Sequence, residues 1–257
     1  MSLLHSNEIN QYFTDCTYKC IPADLKNVNA LMVLLGYNFK IDKFQLVLIA
    51  LLSSEESDIF IELYNFLKNT YSFKPKRITH DFGLSNIKAL NAVYSNGDNI
   101  TIIPCLFHLT QAWWRKASKL GLRKKKKLNT TLCILFNLEL LAFMKLEEAK
   151  HYYSLIKKEF PDNGNNLNAF YDYFETTWFP YEDNETKFSF DLWSYCKKFS
   201  FKGNKKTLIE ENKLEDYVFF TNNGCESFNH LINECIKTNN KISFNKFEEM
   251  FKNLFLL

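Results

Sequence analysis

Apolar positions in the first hundred residues form short unbroken runs alternating with helical stripes. Residues 11–19 mix Tyr, Phe and Thr and predict a strand. Residues 30–37 and 44–52 are almost continuously apolar, the pattern of strands covered on both faces. Ser53-x-x-Glu56 has the spacing of a capping box, and Ile59, Phe60, Leu63, Phe66 and Leu67 follow at helical spacing. A short strand over 76–81 ends near Gly83, and a helix is predicted over 85–94. Asn96-Gly97 marks a turn, 100–104 a further strand, and Leu106, Leu109, Trp113, Ala117 and Leu120 stripe the next helix.

The pattern changes after Gly121. Residues 128–179 read as helical, with Asp162 to Asn166 as the break between two helices. Residues 180–220 are polar and irregular, and helices close the chain over 225–237 and 243–256. The expectation is an α/β protein with a mixed five-stranded sheet: three adjacent strands, then two reached by helical crossovers. Residues 1–122 are expected to form the first part of a core, 123–220 a mostly helical insertion, and 221–257 the helices that complete the core.

Composition narrows this picture. Hydrophobic residues are 46% and charged residues 24%, which excludes a disordered chain. The 32 basic and 29 acidic side chains leave a net charge of +3, so any basic surface must be local. Arg123, Lys124, Lys125, Lys126 and Lys127 form the one dense basic run. The seven Cys are an odd number, and the chain starts without the charged and apolar regions of a secretory leader. The apolar runs are far short of the roughly 20 residues that span a bilayer. A reduced, soluble, intracellular protein without a membrane partner is expected.

Three acidic residues stand out. Asp15 interrupts the uncharged run Tyr12 to Tyr18, and Asp is depleted in strand interiors, although a strand-edge or turn Asp would also account for it. Asp81 lies at the C-terminal end of a predicted strand, where open α/β sheets place ligand sites, although an Asp there can also simply start a turn. Glu226 falls in the first turn of a predicted helix, which the helix dipole alone would favour. A first-strand Asp, a later-strand Asp and a helix Glu could together hold two divalent ions for phosphoryl transfer.

At these residues the chain resembles the transposase domain of Mutator-like elements. Tyr12-Phe13-Thr14-Asp15-Cys16-Thr17-Tyr18-Lys19 is similar to the family's first-Asp strand, and residues 44–52 to its third strand. Ile78-Thr79-His80-Asp81-Phe82, with Ala89 and Ala92, resembles the second-Asp block. Cys105-Leu106-Phe107-His108 matches the Cys-x-x-His signature, and Thr221-Asn222-Asn223 through Glu226-Ser227-Phe228-Asn229 resembles the block of the final Glu. The blocks occur in order over roughly residues 10–235. The resemblance implies an RNase H-like core interrupted by a helical insertion. It also implies a DDE transposase with Asp15, Asp81 and Glu226 holding two Mg²⁺ or Mn²⁺ ions. Its implied partners are DNA, as transposon ends and target, and further copies of the chain, and its implied location is the nucleus. No Cys/His cluster for DNA recognition precedes Asp15, and only His230 and Cys235 follow Glu226. A truncated or domesticated derivative, acting as a non-catalytic DNA-binding or interaction module, is therefore the alternative.

Other residues keep competing readings. Cys105 and His108 share a helix face, but zinc sites of the structural kind need four ligands, so a positioning role near the site competes with metal binding. Cys16 and Cys20 have the even spacing of one strand face. The basic run suits a solvated loop, a nuclear-import signal or phosphate contact, with Arg115, Lys116 and Lys119 adding charge ahead of it. Trp113 is expected in the core, Trp178 as an anchor of the helical region, and His80 in a structural role. Glu226, Asn229 and His230 share a helix face, so Asn229 or His230 could touch DNA or a water beside the site.

Overall fold

Strand β2, Ala30–Asn38, is buried along its whole length and belongs to the first of two compact units. The computed structural model describes residues 7–255 except 19–20, 23, 95–99, 125–127, 163–165, 183–184, 197, 200–207, 209–215 and 238–242. The expected turn at Asn96-Gly97, together with Cys20, lies outside the described residues.

β2 pairs antiparallel with β1, Ile9–Thr17, on one side and with β3, Lys43–Leu52, on the other. β1 then pairs parallel with β4, Arg77–His80, and β4 parallel with β5, Thr101–Pro104. The sheet order is β3-β2-β1-β4-β5. This is the expected mixed five-stranded sheet: a meander of three strands, then two strands reached through α1, Ser57–Tyr71, and α2, Leu84–Tyr94.

Alternation along the strands explains the continuous apolar runs. Ala30, Met32 and Leu34 of β2 join Phe60, Tyr64, Leu67, Ala89 and Leu90 in one cluster, against α1 and α2. Leu31, Val33 and Leu35 join Phe13, Cys225, Ile232 and Phe247 on the opposite face. Phe13 belongs to β1, Cys225 and Ile232 to α8, Asn223–Lys237, and Phe247 to α9, Phe244–Phe255. A strand covered on both sides has no position left for polar side chains.

The predicted capping box does not form. β3 stays paired as far as Leu52, opposite Ala30, and this keeps the following residues extended. Helix α1 starts at Ser57, and its N-cap Glu56 makes no side-chain cap bond. The Ser54 hydroxyl instead accepts the Glu56 N–H at 3.3 Å.

The second unit covers Leu106–Lys202, and the first takes Met1–Cys105 and Gly203–Leu257, against expected divisions at 122 and 220. The second unit holds α3, Leu106–Lys119, α4, Leu128–Leu141, α5, Leu146–Glu159, α6, Leu167–Thr177, and the short α7, Phe190–Trp193. Three long helices therefore occupy 128–179, where two were expected. The extra break after Leu141 contains neither Gly nor Pro; the Lys145 N–H reaches Glu148 Oε2 at 3.4 Å and starts α5. The unit is built on aromatic contacts. Trp113 meets Phe174 edge-on at 5.2 Å, Trp178 stacks on Phe188 at 4.5 Å, and Trp193 Nε1–H donates to the Trp178 carbonyl at 2.8 Å. Trp113 and Trp178 are core residues, as their positions on the apolar pattern predict.

In the first unit, buried amide side chains of β1 attach the segment that leads into α8. Gln11 is fully buried; its Nε2–H donates to the Phe219 carbonyl at 2.7 Å, and its Oε1 accepts the Phe219 N–H at 3.0 Å. Its Nε2 also donates to Thr79 Oγ1 at 2.6 Å, which ties in β4. Asn10 and Arg77 both donate to the Tyr217 carbonyl at 3.3 Å. A side chain thus pairs with a backbone as another strand would. Gln11→Leu keeps the volume and strands both Phe219 backbone groups, at about 1–3 kcal/mol for each group left buried and unpaired. Urea denaturation is expected to show a loss of about 2–4 kcal/mol, with the Phe219 amide hydrogen exchanging faster.

Candidate metal centre

Strand register brings Asp15 and Asp81 together. Phe13 pairs with Thr79 in the parallel β1–β4 ladder, and each Asp lies two residues beyond its member of that pair. The two carboxylates therefore stand at the same level of neighbouring strands, at the C-terminal edge where a parallel sheet stops pairing. Alternation places Asp15 on the face of Phe13, which is the face covered by α8. Asp81 follows the end of β4 and turns the chain: its Oδ1 accepts the Gly83 N–H at 3.0 Å, just before α2. A Cβ at Gly83 would lie 2.9 Å from Asp81 Oδ1, so a side chain there would displace the carboxylate.

Glu226 reaches the same place from the other layer. Its N–H donates to the Asn222 carbonyl at 3.1 Å in the first turn of α8. The fully buried Asn222 donates Nδ2–H to the Thr14 carbonyl at 2.9 Å, and its backbone N–H points at Cys105 Sγ at 3.1 Å. Asn229 donates Nδ2–H to Asp15 Oδ2 at 2.7 Å. Two Asn residues on either side of Glu226 thus bind β1 at consecutive residues, Thr14 and Asp15. Gly224 lets the helix start closely over β3, where a Cβ would meet Phe44 Cδ1 at 2.9 Å.

The electrostatics report the crowding. Burial first, then the charges of Asp81 and Glu226, push the Asp15 carboxyl up to about 7, against the Asn229 bond and the Cys16 backbone N–H. Burial also raises Glu226. Carboxylates gathered in a buried setting repel one another and favour either a proton or a cation. Oxygen donors of this kind suit a hard divalent ion. Cys105 adds a sulfur, its Sγ within 4.8 Å of a Glu226 carboxylate oxygen. His108 lies in the first turn of α3, in the second unit.

A fourth carboxylate was not anticipated. Glu55 accepts hydrogen bonds from the Tyr18 hydroxyl and the Cys16 thiol. The Cys16 thiol is raised by burial first and then by Glu55, Asp81 and Asp15, so all three acids lie around it. Topology contains the signal. β3 runs antiparallel to β2, which runs antiparallel to β1, so the residues after β3 emerge at the same edge as Asp15.

The expected DNA contacts divide. Arg123 and Lys124 are exposed, and the Arg123 guanidinium lies over the Trp114 ring at 4.6 Å. Lys125, Lys126 and Lys127 lie outside the described residues. His230 is exposed, whereas Asn229 is only 7% exposed and its Nδ2–H is committed to Asp15 Oδ2. His80 is fully buried, in keeping with a structural role.

Comparison with protein-family models and with curated proteins returns no match for this chain.

Asp15 makes stability depend on pH. Its folded value lies above the ordinary 3.8, so the fold prefers the neutral acid. Its contribution to the stability of the metal-free protein is then most favourable in acid and is lost as pH rises from about 4 through about 7. Asp15→Asn removes that loss. Thermal melts in chelator are expected to show the variant about 5 °C more stable than the parent at pH 8 and level with it near pH 4.

Proposed function

We propose that this chain is the catalytic core of a DDE transposase related to Mutator-like elements, an RNase H-like enzyme that cuts and joins DNA strands by metal-assisted phosphoryl transfer. The observation that carries the reading is the approach of Asp15, Asp81 and Glu226 to one sheet edge, where burial and then the charges of Asp81 and Glu226 raise Asp15 to about 7. Strand-end carboxylates on adjacent parallel strands and a helix Glu above them are the donors that two-ion chemistry requires. The ordered sequence blocks around the same three residues support the family reading.

Bound Mg²⁺ or Mn²⁺ would supply Lewis-acid activation of the attacking oxygen and stabilisation of the leaving oxygen. Asp15 and Asp81 would hold that charge from the sheet, and Glu226 would complete the donor set from α8. Gly83 fixes the Asp81 carboxylate through its N–H, and burial limits bulk water around Asp15. In the proposed reaction, water attacks a phosphodiester at the element's end and releases a 3′-hydroxyl. That hydroxyl then attacks target DNA, forming a new phosphodiester as another leaves. Arg123 and Lys124 are exposed cations available to phosphate, and such contacts weaken with salt. Nuclear action on paired DNA ends, by more than one copy of the chain, belongs to the same reading. Among the described residues, no helix is long and apolar enough to cross a membrane.

The test is nicking of duplex DNA in Mn²⁺ by the parent and by Asp81→Asn. The reading expects metal-dependent nicking in the parent and a loss of about a thousandfold in the variant. Equal activity in the two proteins would sink it.

A further inference from the structure

Asn229 occupies a position that sheet packing alone does not call for. It lies three residues after Glu226 on α8, so both side chains project from one face of the helix. It is 7% exposed, and its Nδ2–H is committed to Asp15 Oδ2 at 2.7 Å. Its Oδ1 is buried and has no hydrogen-bond partner among the described residues. A buried amide oxygen left bare is costly, so this position favours a hydrogen-bond donor. The ionised carboxylates around it can only accept. A water bound to a divalent cation is a donor with acidified protons, and it would sit among those same carboxylates.

We propose that Asn229 is a positioning residue of the Asp15–Asp81–Glu226 site, holding Asp15 with its amide N–H and a metal-bound water with its carbonyl oxygen. The inference rests on the metal-site reading above. Asn222 provides the contrast. Its Oδ1 is also buried and without a partner among the described residues, but its N–H groups go to the Thr14 carbonyl and Cys105 Sγ rather than to a carboxylate. Asn222 fixes where α8 starts; Asn229 acts on the acid that holds the ion. Groups standing behind metal ligands typically change metal affinity 10–100-fold when removed.

The test is calorimetric titration of the full chain with Mn²⁺ at one pH, alongside metal-free melting. Asn229→Leu removes both the donor and the acceptor and is expected to weaken Mn²⁺ binding about tenfold or more. Asn229→Ala removes the same two groups with a smaller side chain and is expected to show the same loss. A purely structural role would lower the melting temperature of both variants and leave the affinity of the folded protein unchanged. Parental affinity in a folded Asn229→Leu overturns the inference. Parental affinity in Asn229→Ala overturns it too, and that variant decides alone if Asn229→Leu does not fold. Asp81→Asn separates the two levels. If it abolishes Mn²⁺ binding while Asn229→Leu does not, the carboxylate site stands and Asn229 has no part in it. If the parent binds no Mn²⁺, both readings fail together.

Discussion

Amide side chains buried between β1 and the C-terminal segment decide where Glu226 stands. Gln11 pairs with the Phe219 backbone, Asn222 with the Thr14 carbonyl, and Asn229 with the Asp15 carboxylate. These bonds join residues more than two hundred positions apart in a buried setting, where an unmade hydrogen bond is expensive. A slip of α8 along β1 would leave several of them unpaired at once. The register of α8 is therefore fixed by polar groups, while its apolar face supplies the area that holds it down.

The same packing creates a conflict. Strand pairing sets Asp15 and Asp81 on neighbouring strands, and α8 brings Glu226 near enough for its charge to act on Asp15, although the three carboxylates do not all bring an oxygen within 4.8 Å of one another; Glu55 follows β3 close by. The fold tolerates Asp15 in its neutral form near pH 7, and a bound cation would remove the repulsion altogether. Sites that store like charge in this way are commonly functional, because the free energy of relieving the repulsion becomes available for binding an ion. Asn229 bears on both effects, joined to Asp15 through its N–H and carrying a buried amide oxygen without a partner among the described residues.

Much of the sheet can be read from the chain. β2 and β3 are apolar runs, and covering on both faces leaves few other outcomes. Asp15 announced itself because a charge inside such a strand has no packing explanation. Asp81 was legible from its place after β4. The amide anchors were not, because Gln11 looks like an ordinary polar residue of a strand until its partner, Phe219, is known. Glu55 was hidden for the same reason: its approach to Cys16 and Tyr18 follows from strand direction, which local pattern does not show. The break after Leu141 lacked Gly and Pro, and the box at Ser53 lost to continued pairing of β3. Local signals were overruled where a longer-range contact held the backbone in another conformation.

The central claim is that three carboxylates from β1, the end of β4 and α8 share divalent metal. Diffraction from crystals soaked in Mn²⁺ and recorded near the manganese edge tests it most directly. The account predicts anomalous peaks enclosed by Asp15, Asp81 and Glu226, about 3.5–4 Å apart if both ions bind. Strong manganese peaks elsewhere on the molecule, with none among these three side chains, would contradict it.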